Sequence, residues 1–237
     1  VTAADLLQLD DLLSRAHAVV AMQEIHAGNS RNDVIGLRHD VDDNADSLAT
    51  AVKLARWEAE RGYRSTFFML HTASYWQASA FEDSLYAIAR HGHEIGIHAN
   101  ALAHALRNGG DPDEILWDAI EDLRTLGFPV RGVAGHGDGI CFPAGIINDE
   151  QFLECARPEM GAPDRAIKFN GITLTLAPKP LEHFGLVYES LRLPRARYQS
   201  DSGGRWYEPM TKTVAEFPSE RGQLHLLVHP DWYGEAL

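Results

Sequence analysis

Cysteine is nearly absent: Cys141 and Cys155 are the only two in 237 residues. Two such thiols make neither a disulfide framework nor the paired spacing of a zinc knuckle. Positive charge is scarce as well, with 21 Lys and Arg against 34 Asp and Glu and a formal net charge of −13. A basic patch is the footprint of a nucleic-acid or anionic-membrane binder, so this balance argues against both. No apolar run nears the roughly 20 residues that a membrane span needs. No repeat, low-complexity tract or linker rich in Gly, Pro or Ser divides the chain, so a single domain over 1–237 is expected. The start, Val1-Thr2-Ala3-Ala4-Asp5, lacks the basic and apolar regions of a secretion signal. A reducing, cytoplasmic setting is the expectation, and a start at Val is also consistent with a trimmed leader.

What is present is an ordinary globular composition, 45% hydrophobic and 23% charged, with 12 histidines. Disordered, collagen-like and coiled-coil classes fall away. Apolar residues at three- and four-residue steps (Leu6, Leu9, Leu13, Ala16, Val20) predict an N-terminal helix over 3–25, outside the core sheet. Val34 to His39 reads as a strand, Ala45 to Arg61 as a helix that stops at Gly62, and Ser65 to Leu70 as a buried strand. Phe81 to Arg90 then reads as a helix and Glu94 to His98 as a strand. Asp111-Pro112-Asp113-Glu114 opens a helix that runs to Gly127, and Val130 to Ala134 is the next strand. Gly185–Glu189, Arg197–Ser200 and Gln223–Val228 look like late strands. Strand–helix alternation at this spacing means an α/β domain built on a parallel sheet.

In such sheets functional side chains gather where strands end. Here the strand ends carry His39-Asp40-Val41-Asp42-Asp43, His98-Ala99-Asn100, His136-Gly137-Asp138 and Val228-His229-Pro230. Asp40 and Asp42 are two apart and point the same way on an extended segment. Two such carboxylates either share a proton or hold a cation between them. Asp43 and Asn44 read better as caps of the following helix. Imidazole with carboxylate suits zinc or another late first-row divalent ion, which makes His98 a candidate ligand beside Asp42. His91 sits at a helix C-terminus, where the dipole favours a cation, and His93 leans to the same structural reading. His17, His26, His71, His183 and His225 have no evident convergent partners.

Taken in order, Arg38-His39-Asp40-Val41-Asp42, Ser65-Thr66-Phe67-Phe68, Gly92-His93-Glu94-Ile95-Gly96-Ile97-His98 and Leu227-Val228-His229 resemble the polysaccharide deacetylases. This is the NodB-homology group, carbohydrate esterase family 4, and the resemblance covers about residues 34–232. It implies a distorted (β/α)7 barrel and a metal-dependent hydrolase that removes acetyl groups from N-acetylated sugars. Carried over residue by residue, it makes Asp40 the general base, Asp42 and His98 metal ligands, and His229 the acid that protonates the leaving amine. The run Ser200 to Trp206 is similar to the segment whose Asp, here Asp201, orients that histidine.

The chain departs from the family pattern at two places. The second metal histidine of the family falls on Leu102, and the usual Arg-Pro-Pro is replaced by Gly135-His136-Gly137-Asp138-Gly139. His136 is therefore the expected third ligand of a divalent ion, most simply Zn2+, with Asn100 and His104 as alternatives. Asp138 belongs either to the site or to a turn. Trp206, Trp232 and Tyr233 are candidates to stack on a sugar ring or to pack in the core. The partner expected is an N-acetylated carbohydrate or sugar conjugate. Loss of the histidine at 102 keeps open a metal-free or non-sugar amide hydrolase, and a catalytically silent sugar binder is a third reading. Retention of both Asp40 and His229 argues against that last one.

Overall fold

Parallel strands cannot be joined by a tight turn, so each must be followed by a crossover segment. The computed structural model describes residues 3–28, 31, 33–156, 164–195, 197–217 and 223–237. Among them the strands are β1 (Ala18–Val20), β2 (Val34–Val41), β3 (Thr66–Leu70), β4 (Glu94–Ala99), β5 (Gly132–Gly135), β6 (Arg165–Phe169), β7 (Ile172–Leu176), β8 (Tyr188–Glu189), β9 (Arg197–Ser200) and β10 (Leu224–Val228). The helices are α1 (Ala3–Ser14), α2 (Met22–His26), α3 (Ser47–Ala59), α4 (Phe81–Ala89), α5 (Ala101–Asn108), α6 (Pro112–Thr125), α7 (Cys141–Ala144) and α8 (Met210–Glu216). The main sheet runs β8-β5-β4-β3-β2-β10-β9, with β1 beside β2. This path of seven strands between helices is the α/β topology expected of a (β/α)7 fold.

By contacts the chain forms two compact units, residues 1–69, 73–95 and 193–237 in one and residues 70–72 and 96–192 in the other. In the first, β2 pairs in parallel with β1, β3 and β10, and β10 pairs with β9. Every residue of β2 is buried, and a strand covered on both faces is ordinarily a continuous apolar run. Arg38, His39 and Asp40 interrupt that run. Leu9, Leu12 and Leu13 of α1 pack with Ile35, Leu37, Leu226, Val228 and Tyr233 in the core of this unit. In the second unit β4, β5 and β8 pair in parallel. Leu102, Ala103 and Leu106 of α5 pack there against Ile146, Ile167 and Leu174.

The structure changes several expectations. The helix expected over 3–25 is divided: α1 ends at Ser14, Ala18–Val20 pairs with Val34–Gly36 as β1, and α2 follows. Ladder hydrogen bonds to β2 outweigh the helical spacing around Val19 and Val20, whose branched side chains suit a strand. Asp43 and Asn44 do not cap α3, whose N-cap position is Asp46 with no side-chain cap. Asp43 instead accepts from the Ser74 backbone N–H (2.9 Å) and hydroxyl (2.6 Å), and Asn44 donates to Asp231. Of the strand expected over Gly185–Glu189, only Tyr188–Glu189 forms. The antiparallel pair β6–β7, joined at Asn170 and Gly171 with φ of +48° and +81°, was not expected. The start of α6 is as read, with the Asp111 carboxylate accepting from the Asp113 N–H at 2.8 Å.

Candidate active site

Register carries the first half of the site. Leu227 lies opposite both Arg38 and Ser200, so β2, β10 and β9 end at one level. Their next residues bring Asp40, Asp42, His229 and Asp201 to the C-terminal edge of the sheet. The Asp201 carboxylate accepts the His229 backbone N–H at 3.0 and 3.1 Å and stands 2.6 Å from Nδ1 of the same residue. An ionised carboxylate only accepts, so Nδ1 is the donor and Nε2 is left facing outward. That Nε2 lies 4.0 Å from Asp42 Oδ2. Burial alone would lower the His229 pKa, but the Asp201 hydrogen bond and the charges of Asp201, Asp40 and Asp42 raise it to about 9. Burial pushes Asp201 upward against the opposing pull of His229. Asp40 and Arg38 share one strand face, with Arg38 Nη2 3.3 Å from Asp40 Oδ2 and both side chains buried.

His39 points to the other face and joins a network that nothing in the linear pattern announced. Its Nε2 is 2.7 Å from Glu58 Oε1 and its Nδ1 is 3.2 Å from the Val228 carbonyl. The Ser65 hydroxyl donates to Glu58 Oε2 at 2.6 Å. His93 Nδ1 accepts the Ser65 N–H (3.2 Å), and its Nε2–H donates to the Ala55 carbonyl (2.8 Å). Burial would raise the Glu58 pKa, but the charge and hydrogen bond of His39, with His93 and Ser65, bring it below the ordinary value. A carbonyl oxygen only accepts, and both His39 nitrogens lie against an acceptor oxygen, one of Glu58 and one of Val228. His39 thus ties α3 to the backbone immediately before His229. Removing one member of a buried pair leaves the other charge uncompensated. Glu58→Gln is therefore expected to lower unfolding free energy by about 3 kcal/mol, read from urea denaturation. A loss under about 1 kcal/mol would contradict the ion pair.

The second unit holds the imidazoles. His98 Nδ1–H donates to the Ala134 carbonyl at 2.9 Å, which fixes the tautomer and directs the Nε2 lone pair away from the strand. His136 Nδ1 lies 3.1 Å from that Nε2. Two histidine nitrogens on one tetrahedral zinc would stand about 3.3 Å apart, given Zn–N distances of about 2.0–2.1 Å. Asp138 belongs to the turn: it accepts a fork from Arg107, the Ile140 N–H at 3.0 Å and the Asn100 amide at 3.1 Å. Burial opposes its ionisation, yet these donors hold its pKa at about 2. Asn148 donates to the His136 carbonyl (2.8 Å) and to Asn100 Oδ1 (2.9 Å).

Asn100 is consequently consumed as a hub, and its backbone N–H donates to His71 Nε2 at 2.9 Å. His71, given no partner from sequence, is half-buried, and desolvation with the charges of His104, His98 and His136 takes its pKa to about 3. Leu102 is fully buried in the apolar core. In the core of the first unit Tyr233 is fully buried too, which removes it as a sugar platform, while Trp206 and Trp232 are partly buried against that core.

Within the second unit the pair of imidazoles able to share a metal ion is His98 and His136, whose facing nitrogens are 3.1 Å apart. Neither Asn100, whose amide is taken by Asn148, Thr72 and Asp138, nor His104 is part of that pair. Two imidazoles, with Nε2 of His98 preset by its backbone bond, suit zinc or a late first-row ion.

No protein-family model matches this chain, and no curated protein does. Seven chains of solved structures match it. A peptidoglycan deacetylase, PdaC from Bacillus subtilis, aligns at 22% identity and a TM-score of 0.33 over 52% of this chain and 54% of that one, about half its length. A mutant form of the same enzyme aligns at 13% identity and a TM-score of 0.41 over 88% of this chain and 79% of that one. A family 4 carbohydrate esterase from Bacillus anthracis aligns at 15% identity and a TM-score of 0.41 over 94% of this chain and 76% of that one. Among the described residues no helix is long and apolar enough to cross a membrane.

Proposed function

We propose that the chain is a metal-dependent hydrolase of C–N amide bonds, acting as an N-deacetylase on an N-acetylated sugar or sugar conjugate. The observation that carries the reading is the buried Asp201–His229 pair with Asp40 and Asp42 at the same strand ends. An amide has a poor electrophile and a poor leaving group, so its hydrolysis needs a base, charge stabilisation and a proton for nitrogen. Asp42, His98 and His136 would hold the cation, which when bound lowers the pKa of water and polarises a carbonyl. Asp40 takes the proton from the attacking water, and Arg38 orients that carboxylate from its buried position. His229, kept as imidazolium by Asp201, delivers a proton from Nε2 to the departing amine.

The test is acetate release from an N-acetylglucosamine oligomer as a function of pH. A histidine raised to about 9 in the folded protein is protonated below that value and loses its proton as pH rises through it. The alkaline limb of kcat is therefore expected near pH 9 and, in Asp201→Asn, displaced toward the ordinary histidine range near 6.5. The same pair contributes stability that is complete below about 6.5 and lost as pH rises through the folded value. No acetate release with added zinc, or a limb that Asp201→Asn leaves in place, would overturn the assignment.

A further inference from the structure

His136 also lines a pocket of the second unit whose other walls have no part in the proposed catalysis. Its volume is about 380 Å³, and its walls are the 135–139 loop with Cys141, Phe142, Ile146, Ile147, Asn148 and Asp149. We propose that this pocket is a subsite for a compact apolar group, such as one aromatic ring or a branched aliphatic chain, carried by the amide substrate. The proposal rests on the amide-hydrolase reading and extends it.

Three observations support it. First, two of the polar side chains at the pocket, Asp138 and Asn148, are spent inside the protein. Asp138 is taken by Arg107, Asn100 and the Ile140 N–H. Asn148 is taken by Asn100, the His136 carbonyl and the Ala103 N–H. A sugar ring needs free donors and acceptors for its hydroxyls; an apolar group needs none. Second, Phe142 is 93% exposed, an aromatic side chain lying almost wholly in water on the pocket wall. Third, Gly137 and Gly139 are not required by packing or backbone. A Cβ at either would meet nothing within 4 Å, and neither has a positive φ. Glycine where nothing in the protein demands it fits a backbone that a ligand approaches. Gly135 is the contrast, since a Cβ there would strike the Asp149 carboxylate.

Size points the same way. A water occupies about 30 Å³ of liquid, and a methyl group is of comparable size, so an acetyl methyl fills a small part of this space. The volume lies within the roughly 300–1,000 Å³ of small-molecule sites.

The experiment compares kcat/KM of the zinc-loaded protein for N-acetylglucosamine, its N-phenylacetyl analogue (the acyl arm) and N-benzylacetamide (the amine arm). One arm is expected to exceed N-acetylglucosamine by tenfold or more, which also tells which side of the amide the pocket serves. Phe142→Ala, and Gly137→Val by filling the space, should bring that ratio toward one without lowering the melting temperature. Equal or better turnover of N-acetylglucosamine, or a ratio indifferent to both variants, overturns the proposal. If none of these amides is hydrolysed, the amide-hydrolase reading falls. The pocket is then judged by calorimetric titration with phenylacetamide. Binding that both variants weaken supports the pocket, and no binding overturns it.

Discussion

Asp40→Asn is expected to lower kcat for acetate release by about 10²–10⁴-fold, the range set by loss of a positioned general base. The amide cannot take a proton from water at neutral pH, while its shape stays close to that of the carboxylate. The change also removes the carboxylate beside Arg38, whose guanidinium is buried at 3.3 Å from it, so some stability should be lost with the activity. The two effects separate when kcat is measured well below the melting temperature of the variant, with metal content checked. A loss of less than tenfold in folded, metal-loaded protein would remove Asp40 from the role of base.

The second large effect is that of His229→Gln, again about 10²–10⁴-fold in kcat, with disappearance of the alkaline limb near pH 9. Its leaving-group dependence sets it apart. A sugar amine leaves only when protonated, whereas the nitrophenolate of an activated acetate ester leaves without a proton. The loss in His229→Gln should therefore shrink toward tenfold or less on the ester, while that in Asp40→Asn persists because both substrates need activated water. Equal losses on the two substrates would mean that His229 does not act as the acid. The buried Asp201 would lose its ring partner in this variant, so Asp201→Asn is the gentler companion, moving the pH limb rather than abolishing the step.

Much of the fold was legible because it rests on local signals. The fully buried runs of β2 and β3, the Gly62 and Gly127 stops, and the Asp111-Pro112 start each stand within a few residues of the element they define. The Asn170-Gly171 turn between Ile167, Phe169, Ile172 and Leu174 is equally local, a two-residue hairpin signal in the linear sequence. The helix expected over 3–25 failed for a different reason. Val19 and Val20 satisfy both a helical and a strand pattern, and only the unpaired edge of β2 decides between them.

At the site, strand ends could be found from the sequence but partners could not. Glu58 is 19 residues from His39, and Val228 is 189 away from it. Nothing in spacing brings them together; parallel register does. Likewise Asn100, His104 and His136 were indistinguishable as letters near a strand end. Asn100 is separated from the others by Asn148, Thr72 and Asp138, which use up its amide.

The central claim is that Asp42, His98 and His136 hold a divalent ion, and elemental analysis of protein purified without chelators tests it most directly. One equivalent of zinc or another late first-row metal per chain is expected in the native protein, and its loss in Asp42→Ala and His136→Ala. Metal absent from the native chain after incubation with zinc, or retained in full by both variants, would contradict it.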